Sequence, residues 1–268
     1  MPVYDTITST QNPKVKALLQ LQQKSSERQQ QGLFVVEGGR ELRRCIRAGF
    51  NVDSIFLCQE FVCPETESYV ETLAGTKIYL VSKAVYEKMA YRGGTEGVVA
   101  LVRQKRYSLE DLELSENPLV MVLESVEKPG NLGAVLRSAD ASRADAVIVC
   151  DPLTDLFNPN LIRSSLGAIF TVPCVACSSD ECIRFLKSRQ VKILTAQLQN
   201  SELYYDTDMT GPVALVMGTE STGLTQVWRD AADAHIRIPM MGQVDSLNVS
   251  VSAAILLYEA VRQRKPVK

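Results

Sequence analysis

Five short apolar runs, separated by helix-length segments, dominate the second half of the chain. Several are continuous stretches of Val, Ile, Leu, Ala and Met, and the five cover residues 119–123, 146–150, 191–195, 213–217 and 235–238. A strand that is apolar along its whole length is buried on both faces, as in a parallel sheet with helices on both sides. The sequence therefore predicts an α/β domain built on a parallel sheet, with FTVPCVA as a less regular additional strand.

The first half alternates between strand patterns and helix patterns over shorter distances. GLFVVEG, VDSIFL, KIYLV and GVVALV predict strands, and Asn12 with Pro13 opens a helix that we expect to end near Gln30. The polar stretch RQKRYSLEDLELSENP lacks apolar periodicity and indicates a linker. We therefore expect a small α/β domain over residues 1–104, a linker over 105–118 and a second domain over 119–268.

Charge is distributed unevenly along the chain. Residues 1–50 hold eight Lys and Arg against four Asp and Glu, which gives a local charge of +4. Because the whole chain has a net charge of −2, the other 218 residues carry a charge of −6. A basic amino-terminal segment indicates a polyanionic partner, although ordinary solvated helix faces would give the same count. No apolar stretch reaches the roughly 20 residues of a membrane span, and the first 16 residues lack a secretory core. We expect a cytoplasmic protein with no membrane contact.

Cysteine usage bears on the question of a metal site. Seven cysteines without a secretory signal predict free thiols in a reducing compartment. The stretch PCVACSSDEC places Cys174, Cys177 and Cys182 close together, but zinc needs a fourth ligand, and the one histidine, His235, is distant in sequence. We interpret the cluster as small buried residues and expect no metal.

Three turns that each follow a predicted strand of the second domain carry its conspicuous polar residues. They are EKPGNLGAVLRSAD, VALVMGTESTGL and IRIPMMGQVDSLNVSVSAAILLYEA. Parallel sheets bind ligands in loops at the carboxyl ends of their strands. Local roles are also open: Asn131 as a helix cap, Arg137 paired with Asp140, and Glu220 near a helix start. The absence of a phosphate loop, a G-x-G-x-x-G and a G-x-S-x-G argues against nucleotide hydrolysis, standard nicotinamide binding and a serine triad.

The last helix pattern is apolar nearly all round between Leu247 and Leu257. A helix without a clear polar face is buried on both sides. One side can face the sheet, and we expect the other to face a second copy of the chain. Ser246 and Asn248, at the start of this helix, could be simple caps or part of a site.

Taken together and in order, PGNLGAVLRSADA, VMGTESTGL and IPMMGQVDSLNVSVSAAILLYEAVRQR resemble the three sequence motifs of the SpoU/TrmH family of RNA ribose 2'-O-methyltransferases. The stretch NPNLIRSSLGAIFTVP resembles the family's segment between the first two motifs, and TSTQNPKVKALLQL with LFVVEGGRELRRCI resembles the substrate-binding domain often fused ahead. The resemblance covers nearly the whole chain. It implies a methyltransferase domain of the SPOUT type with a trefoil knot, S-adenosylmethionine held in that knot, and a homodimer built on the last helix.

The resemblance also implies roles for individual residues. Backbone groups of Gly218, Ile238 and Leu247 would hold the cofactor, in a pocket that is also lined by Met217, Met240, Thr195, Ala196 and Gln197. The polar positions around the methyl-transfer site would be Asn131, Arg137, Glu220, Ser246 and Asn248. RNA contacts would come from Arg163, Lys14, Lys16, Arg40 and Arg43. A guanidinium stays protonated in proteins and is a poor base, so we expect Arg137 to position phosphate and ribose, with Asn131 orienting either group.

Two positions depart from the family pattern, and two other functions remain open. Lys128 stands where the family often has an acid, and Glu124 where an aspartate is common. The expected substrate is ribosomal rather than transfer RNA, because two-domain family members more often act on ribosomal RNA. A non-catalytic RNA-binding or ribosome-assembly protein would be expected to have lost Asn131, Arg137 or Glu220, which are all present. A small-molecule nucleotide enzyme would not need the basic amino-terminal domain.

Overall fold

The computed structural model describes residues 4–91, 96–219 and 222–264. The chain divides into two compact units. The first comprises Met1–Lys105 with Phe157–Phe170, and the second comprises Arg106–Leu156 with Thr171–Lys268. The sequence placed residues 157–170 in the second domain, whereas in the structure they pack with the first unit.

A five-stranded mixed sheet forms the centre of the first unit. Its strands are β1 (Tyr4–Ile7), β2 (Leu33–Glu37), β3 (Val52–Leu57), β4 (Lys77–Val81) and β5 (Val98–Arg103). Its helices are α1 (Pro13–Gln23), α2 (Ser25–Gln31), α3 (Gly39–Arg47), α4 (Pro64–Glu71) and α5 (Lys83–Met89). The strand order is β1-β4-β3-β5-β2, with β5 antiparallel to both of its neighbours. The four predicted strands are present, and β1 is a strand that the sequence analysis missed.

The predicted helix from Pro13 to Gln30 is two helices in the structure. Asn12 caps α1 as expected, since its Oδ1 accepts a hydrogen bond from the Lys14 amide at 2.9 Å. The backbone at Lys24 is extended (φ −118°, ψ 120°), which ends α1 before α2 begins. The buried Arg28 then donates a hydrogen bond to the Leu21 carbonyl at 2.6 Å. The turn is therefore stabilised by an arginine that satisfies a carbonyl at the end of α1.

Aromatic packing explains why residues 157–170 belong to the first unit. The segment contains α7 (Pro159–Ser164), and α8 (Ala168–Thr171) begins within it. The ring of Phe34, in β2, lies 4.7 Å from that of Phe157 and 6.1 Å from that of Phe170, measured between centroids. Arg44, in α3, donates a hydrogen bond from Nη1 to the Leu166 carbonyl at 2.6 Å.

A seven-stranded parallel sheet forms the second unit, as the apolar runs predicted. Its strands are β6 (Leu119–Glu124), β7 (Ala146–Cys150), β8 (Cys174–Cys177), β9 (Lys192–Ala196), β10 (Glu202–Leu203), β11 (Val213–Met217) and β12 (Ala234–Arg237). Its remaining helices are α6 (Pro129–Ser142), α9 (Ser179–Ser188), α10 (Gln226–Ala231) and α11 (Val249–Gln263). The order β10-β12-β9-β11-β6-β7-β8 confirms the predicted α/β fold with a parallel sheet. The short β10 was not predicted.

The last helix, α11, has one buried face within its own unit. It packs on α6 and on strands β6 and β11. Leu256 and Leu257 are 1% and 0% exposed, whereas Val251 and Tyr258 are 47% and 50% exposed. We expected one side of this helix to face the sheet and the other to face a second copy of the chain. Within the protomer, Leu256 and Leu257 face the core. The exposed stripe of the helix runs through Val251 and Tyr258.

Buried polar contacts tie α10 to the sheet. Glu124, at the end of β6, is 2% exposed and accepts hydrogen bonds from the Thr225 amide at 2.9 Å and the Thr225 hydroxyl at 2.6 Å. The indole of Trp228 donates to Ser179 Oγ at 2.9 Å. Because a buried carboxylate is costly unless it is hydrogen-bonded, the departure at Glu124 has a structural explanation. It is the residue that holds the start of α10.

Arg264, just after α11, fastens the end of the unit to its beginning. Its guanidinium donates hydrogen bonds to the carbonyls of Asn117 (2.9 Å), Pro118 (3.0 Å), Met209 (3.0 Å) and Gly211 (2.6 Å). Burial lowers the pKa of this arginine from its usual value. Across residues 4–91, 96–219 and 222–264, no helix is both long and apolar enough to cross a bilayer.

Candidate active site

A cavity of about 350 Å³ opens where β9, β11 and β12 end in the second unit. Most of its wall comes from strand ends and the loops that follow them, as expected for a parallel sheet, and residues of α10 and α11 complete it. The wall residues are Ala196, Gln197, Leu198, Gln199, Met217, Gly218, Thr219, Gly223, Leu224, Arg229, Ile236, Arg237, Ile238, Met240, Asp245, Ser246, Leu247, Val249 and Ser252.

The loop after β11 folds back on itself at Gly218. A Cβ atom at this position would lie 2.3 Å from both the carbonyl carbon and oxygen of Gly223, closer than real Cβ contacts. The Gly223 amide donates to the Thr219 carbonyl at 3.0 Å, and Gly223 has a positive φ of 67°. Only glycine therefore allows the backbone to pass this closely. The predicted site residue Glu220 lies outside the described residues.

Seven of the eight predicted cofactor residues line this cavity. They are Met217, Gly218, Ile238, Met240, Leu247, Ala196 and Gln197. Thr195 is the exception in the part of the chain that the structure describes: it is fully buried, and its hydroxyl lies 2.6 Å from Nδ1 of His235. Thr195 is thus enclosed between β9 and β12, where His235 is its direct partner in the parallel ladder.

Two buried polar atoms of the cavity wall lack a hydrogen-bond partner among the described residues. They are Oε1 of Gln197, an acceptor, and Nε of Arg229, a donor. Buried polar groups are nearly always satisfied, so this pair indicates a ligand with both a donor and an acceptor. Arg229 carries no sequence signal of its own, because it lies on α10, beyond the polar turn that follows β11.

A second cavity of about 140 Å³ adjoins the first. It shares Gly218, Thr219 and Val249 with the first cavity and adds Val126, Glu127, Lys128 and Asn131. This places an acid, a cation and an amide next to the larger cavity.

Asn131 and Asn248 are brought together from different helices. Nδ2 of Asn248 donates to Oδ1 of Asn131 at 3.3 Å. Asn248 is also the cap of α11, because its Oδ1 accepts from the Ser250 amide at 3.0 Å. The expectation of a cap at Asn131 was wrong: α6 begins at Pro129 after Lys128, which leaves Asn131 inside the first turn.

Arg137 and Ser246 occupy different positions relative to the cavities. Ser246 lines the larger one, whereas Arg137 is exposed and lines neither within the described residues. Six residues separate Asn131 from Arg137, which is about 600° of helix turn, so the two side chains point roughly 120° apart. Asp140, the alternative partner of Arg137, accepts a hydrogen bond from Thr171 at 2.6 Å.

Four of the five predicted RNA contacts lie on helices α1 and α3 of the first unit. Lys14 and Lys16 are exposed, and Lys14 Nζ lies 5.1 Å from the centre of the Tyr79 ring. The other two are paired with acids: Arg40 with Glu41 at 2.6 Å and Arg43 with Glu65 at 3.3 Å. The two lysines are therefore the more available positive charges.

Arg163, the fifth, is on α7 and so belongs to the first unit rather than the second. Its Nη1 is buried without a hydrogen-bond partner among the described residues. Burial raises the pKa of Glu37 in β2, and the charge of Arg163 opposes that shift. The structure therefore places Arg163 beside an acid of the first unit.

Comparison with known families follows the division into two units. The model of the SpoU rRNA Methylase family matches residues 118–258, and the model of the MRM3-like substrate binding domain matches residues 12–100. The first match includes both cavities, and the second covers most of the first unit.

Individual relatives match along nearly the whole chain. The 23S rRNA (guanosine(2553)-2'-O)-methyltransferase RlmP of Bacillus subtilis (strain 168) is 30% identical over 252 residues, which are 94% of this chain and 97% of that protein. The crystal structure of an RNA 2'-O ribose methyltransferase is 40% identical, with a TM-score of 0.85 and coverage of 97% of this chain and 99% of that chain. An AdoMet-bound rRNA methyltransferase from Sinorhizobium meliloti is 29% identical, with a TM-score of 0.88 and coverage of 97% and 98%. The chain therefore belongs to the SpoU rRNA methylase family of methyltransferases, as its three motifs suggested.

Proposed function

We propose that this protein methylates the ribose 2'-hydroxyl of a nucleotide in 23S ribosomal RNA, with S-adenosylmethionine as its cofactor. The observation that carries the proposal is the large cavity at the strand ends, with the Asn131–Asn248 pair beside it. Ribosomal RNA is favoured over transfer RNA because RlmP, which aligns along 94% of this chain, is named for 23S rRNA. The non-catalytic alternative does not explain why the cavity keeps unsatisfied polar atoms.

The large cavity would hold S-adenosylmethionine, which supplies an electrophilic methyl group. Oε1 of Gln197 can accept a hydrogen bond from an amino or hydroxyl group, and Nε of Arg229 can donate to an oxygen or ring nitrogen. Gly218 and Gly223, which form the close approach in the loop after β11, both line the cavity wall. Ile238, Met240 and Leu247 would enclose the apolar parts of the cofactor.

The smaller cavity is the place where we expect the target ribose. Asn131 and Asn248 hold each other in position and would orient a hydroxyl group. Lys128, in the same cavity, would attract the adjacent phosphate, so its departure from the family pattern would strengthen RNA contacts. Arg137, which is exposed and lines neither cavity, would position the ribose from outside by binding an RNA phosphate, and Glu220 and Ser246, the latter in the adjoining larger cavity, would complete the polar surroundings.

The first unit would hold RNA through Lys14, Lys16, Arg40, Arg43 and Arg163. The local charge of +4 over residues 1–50 suits a phosphate backbone. A cytoplasmic location is part of the proposal, because all seven cysteines are free thiols, as is typical of a reducing compartment. The trefoil knot also remains a prediction. What supports it is the path of the chain, since β12 lies beyond β9 whereas α11 packs on β6 and β11.

The methylated atom provides the test of this function. Asn131, Asn248 and Lys128 offer groups suited to hydroxyl and phosphate oxygens rather than a pocket for a flipped base. Incubation with 23S ribosomal RNA from cells that lack this gene should yield one nucleotide whose linkage resists alkali. Mass spectrometry of the nucleosides should place the added methyl group on ribose.

A matched RNA with a single 2'-deoxy sugar at the target should still bind but accept no methyl group. A methyl group on a base, or methylation of the deoxy RNA, would contradict the assignment. Methylation of transfer RNA but not of 23S RNA would retain the chemistry and overturn the substrate.

We also propose that the protein is a homodimer whose interface includes the exposed stripe of α11. Val251 and Tyr258 lie seven residues apart, so they share one helix face. Both are large and about half exposed. Leu256 and Leu257 are already covered by the protomer, so they are unsuitable for testing this interface.

Tyr258→Glu should therefore convert the dimer into a monomer, because dimerisation would bury the new carboxylate in the interface without a hydrogen-bond partner. Light scattering of the folded variant at micromolar concentration would measure the mass. Tyr91→Glu, at a tyrosine of the first unit that is 49% exposed, is the matched control and should stay dimeric. A wild-type protein that is monomeric under these conditions would contradict the dimer.

A further inference from the structure

Three cysteine side chains from separate elements converge in the second unit. Cys150 ends β7 and Cys177 ends β8, and the two are direct partners in the parallel ladder. Cys182 lies near the start of α9. Their Sγ atoms all lie within 4.8 Å of one another. The sequence analysis considered Cys174 in place of Cys150, and only the pairing of β7 with β8 shows the actual group.

The separation of the sulfur atoms suits a single metal ion. A thiolate lies about 2.3 Å from bound zinc, so sulfurs around a tetrahedral or trigonal ion are about 3.8–4.0 Å apart. Small side-chain movements would bring the cluster to that spacing. A disulfide between Cys150 and Cys177 fits less well, because neighbouring strands lie about 4.8 Å apart, and a disulfide prefers Cβ atoms about 3.8 Å apart.

A capping box fixes the chain around the cluster, and a surface groove reaches one of its cysteines. Ser178 and Glu181 form a reciprocal capping box at the start of α9, which holds the chain between Cys177 and Cys182. Cys150 and Cys182 are fully buried. Cys177 is half-buried and lines a surface groove of about 630 Å³, so an ion could enter there.

Core packing is the alternative explanation of these thiols. Cys150 and Cys182 do belong to the apolar core, beside Val175 and Leu186. Packing alone, however, does not require three sulfur atoms to converge on one point. Cys174, on the opposite face of β8, is a buried thiol outside the cluster and shows what a purely apolar role looks like.

We propose that Cys150, Cys177 and Cys182 bind one thiophilic metal ion, Zn²⁺ or Cu⁺, as three thiolates. Each thiol releases its proton to solvent as its sulfur–metal bond forms. Soft thiolates suit Cu⁺, whereas Zn²⁺ prefers four ligands, the fourth being a water in the groove beside Cys177. The ion would join β7, β8 and α9. In the described part of the chain, none of the three cysteines lines the large or the smaller cavity of the candidate active site.

The test is a metal titration of the full chain, reduced, freed of metal and kept from air. Zn²⁺ and Cu⁺ are each added in competition with a chromophoric chelator. We expect one ion per chain in at least one titration, and a higher unfolding temperature with that ion present. Cys177→Ser should weaken the affinity for the metal ion by more than about a hundredfold. Losing a residue that only hydrogen-bonds to a metal ligand has a smaller effect.

Cys174→Ser is the matched control and should bind the ion within a few fold of the parent protein. All proteins carry Cys63→Ser, which removes the exposed thiol. The proposal is overturned if the parent binds neither ion, or if Cys177→Ser binds as tightly as Cys174→Ser. A disulfide that forms in air in a chain that binds neither ion would equally overturn it.

Discussion

Arg137→Ala should reduce methyl transfer by at least about a hundredfold while leaving the affinity for S-adenosylmethionine within a few fold. Removing one hydrogen-bond donor that stabilises negative charge in the transition state typically lowers the rate by about 10²–10³. Arg137 lies outside the wall of the cofactor cavity, on the exposed side of α6, so its loss should not disturb cofactor contacts. Radiolabel transfer to 23S ribosomal RNA measures the first quantity, and calorimetry with the cofactor measures the second.

Two further variants sharpen the interpretation. Arg137→Lys keeps the charge but loses the planar fork that binds phosphate in two places, so we expect partial activity. Arg143→Asn is the matched control, because it removes an exposed arginine at the other end of α6. Asparagine tolerates the left-handed backbone at this position (φ 54°), so the variant should fold and remain active. A folded Arg137→Ala variant that loses more than tenfold in cofactor affinity, about 1.4 kcal/mol, would place Arg137 in the cofactor site and refute the assigned role.

Gly218→Ala should weaken cofactor binding by about ten- to a hundredfold, equivalent to about 1.4–2.8 kcal/mol. The added methyl would lie 2.3 Å from both the carbonyl carbon and oxygen of Gly223, which are backbone atoms and cannot rotate away as a side chain could. One segment must therefore move, and both segments line the cavity. Calorimetry with S-adenosylmethionine and with its demethylated product measures the loss.

Gly242→Ala is the matched control for this substitution. Gly242 lies in the loop before α11, and an added Cβ would meet no atom within 4 Å. We expect its cofactor affinity to be unchanged. If Gly218→Ala bound the cofactor as tightly as Gly242→Ala, the loop after β11 would not be part of the cofactor site.

The parallel sheet could be predicted because its strands are buried on both faces. The strands at Ala146–Cys150 and Val213–Met217 have the predicted bounds, since every residue in them is buried and the apolar run is the strand itself. The cavity followed from the same reasoning, because the turns after the strands must meet at one edge of the sheet. Thr195 does not line the cavity, because it contacts His235 of β12, and the sequence does not determine which strand lies beside β9.

Contacts between residues that are distant in sequence could not be predicted from local sequence patterns. Arg229 reaches the cavity from a helix with no motif, and Glu124 is an ordinary acid until Thr225 is seen to donate two hydrogen bonds to it. The segment Phe157–Phe170 joined the first unit through its aromatic rings, although its sequence neighbours belong to the second. The cysteine cluster similarly depends on strand pairing, which periodicity does not determine.

The four carbonyls held by Arg264 have a practical consequence for anyone attaching a reporter to this protein. Through this one side chain, residue 264 is a neighbour of Pro118 and Gly211, just before the first residues of β6 and β11. Those strands carry five or six residues at about 3.3 Å each, so the cavity at their other ends is roughly 16–20 Å away. A fluorophore or affinity handle placed immediately after Arg264 would therefore leave this cavity open. One placed in the loop after β12 would obstruct it.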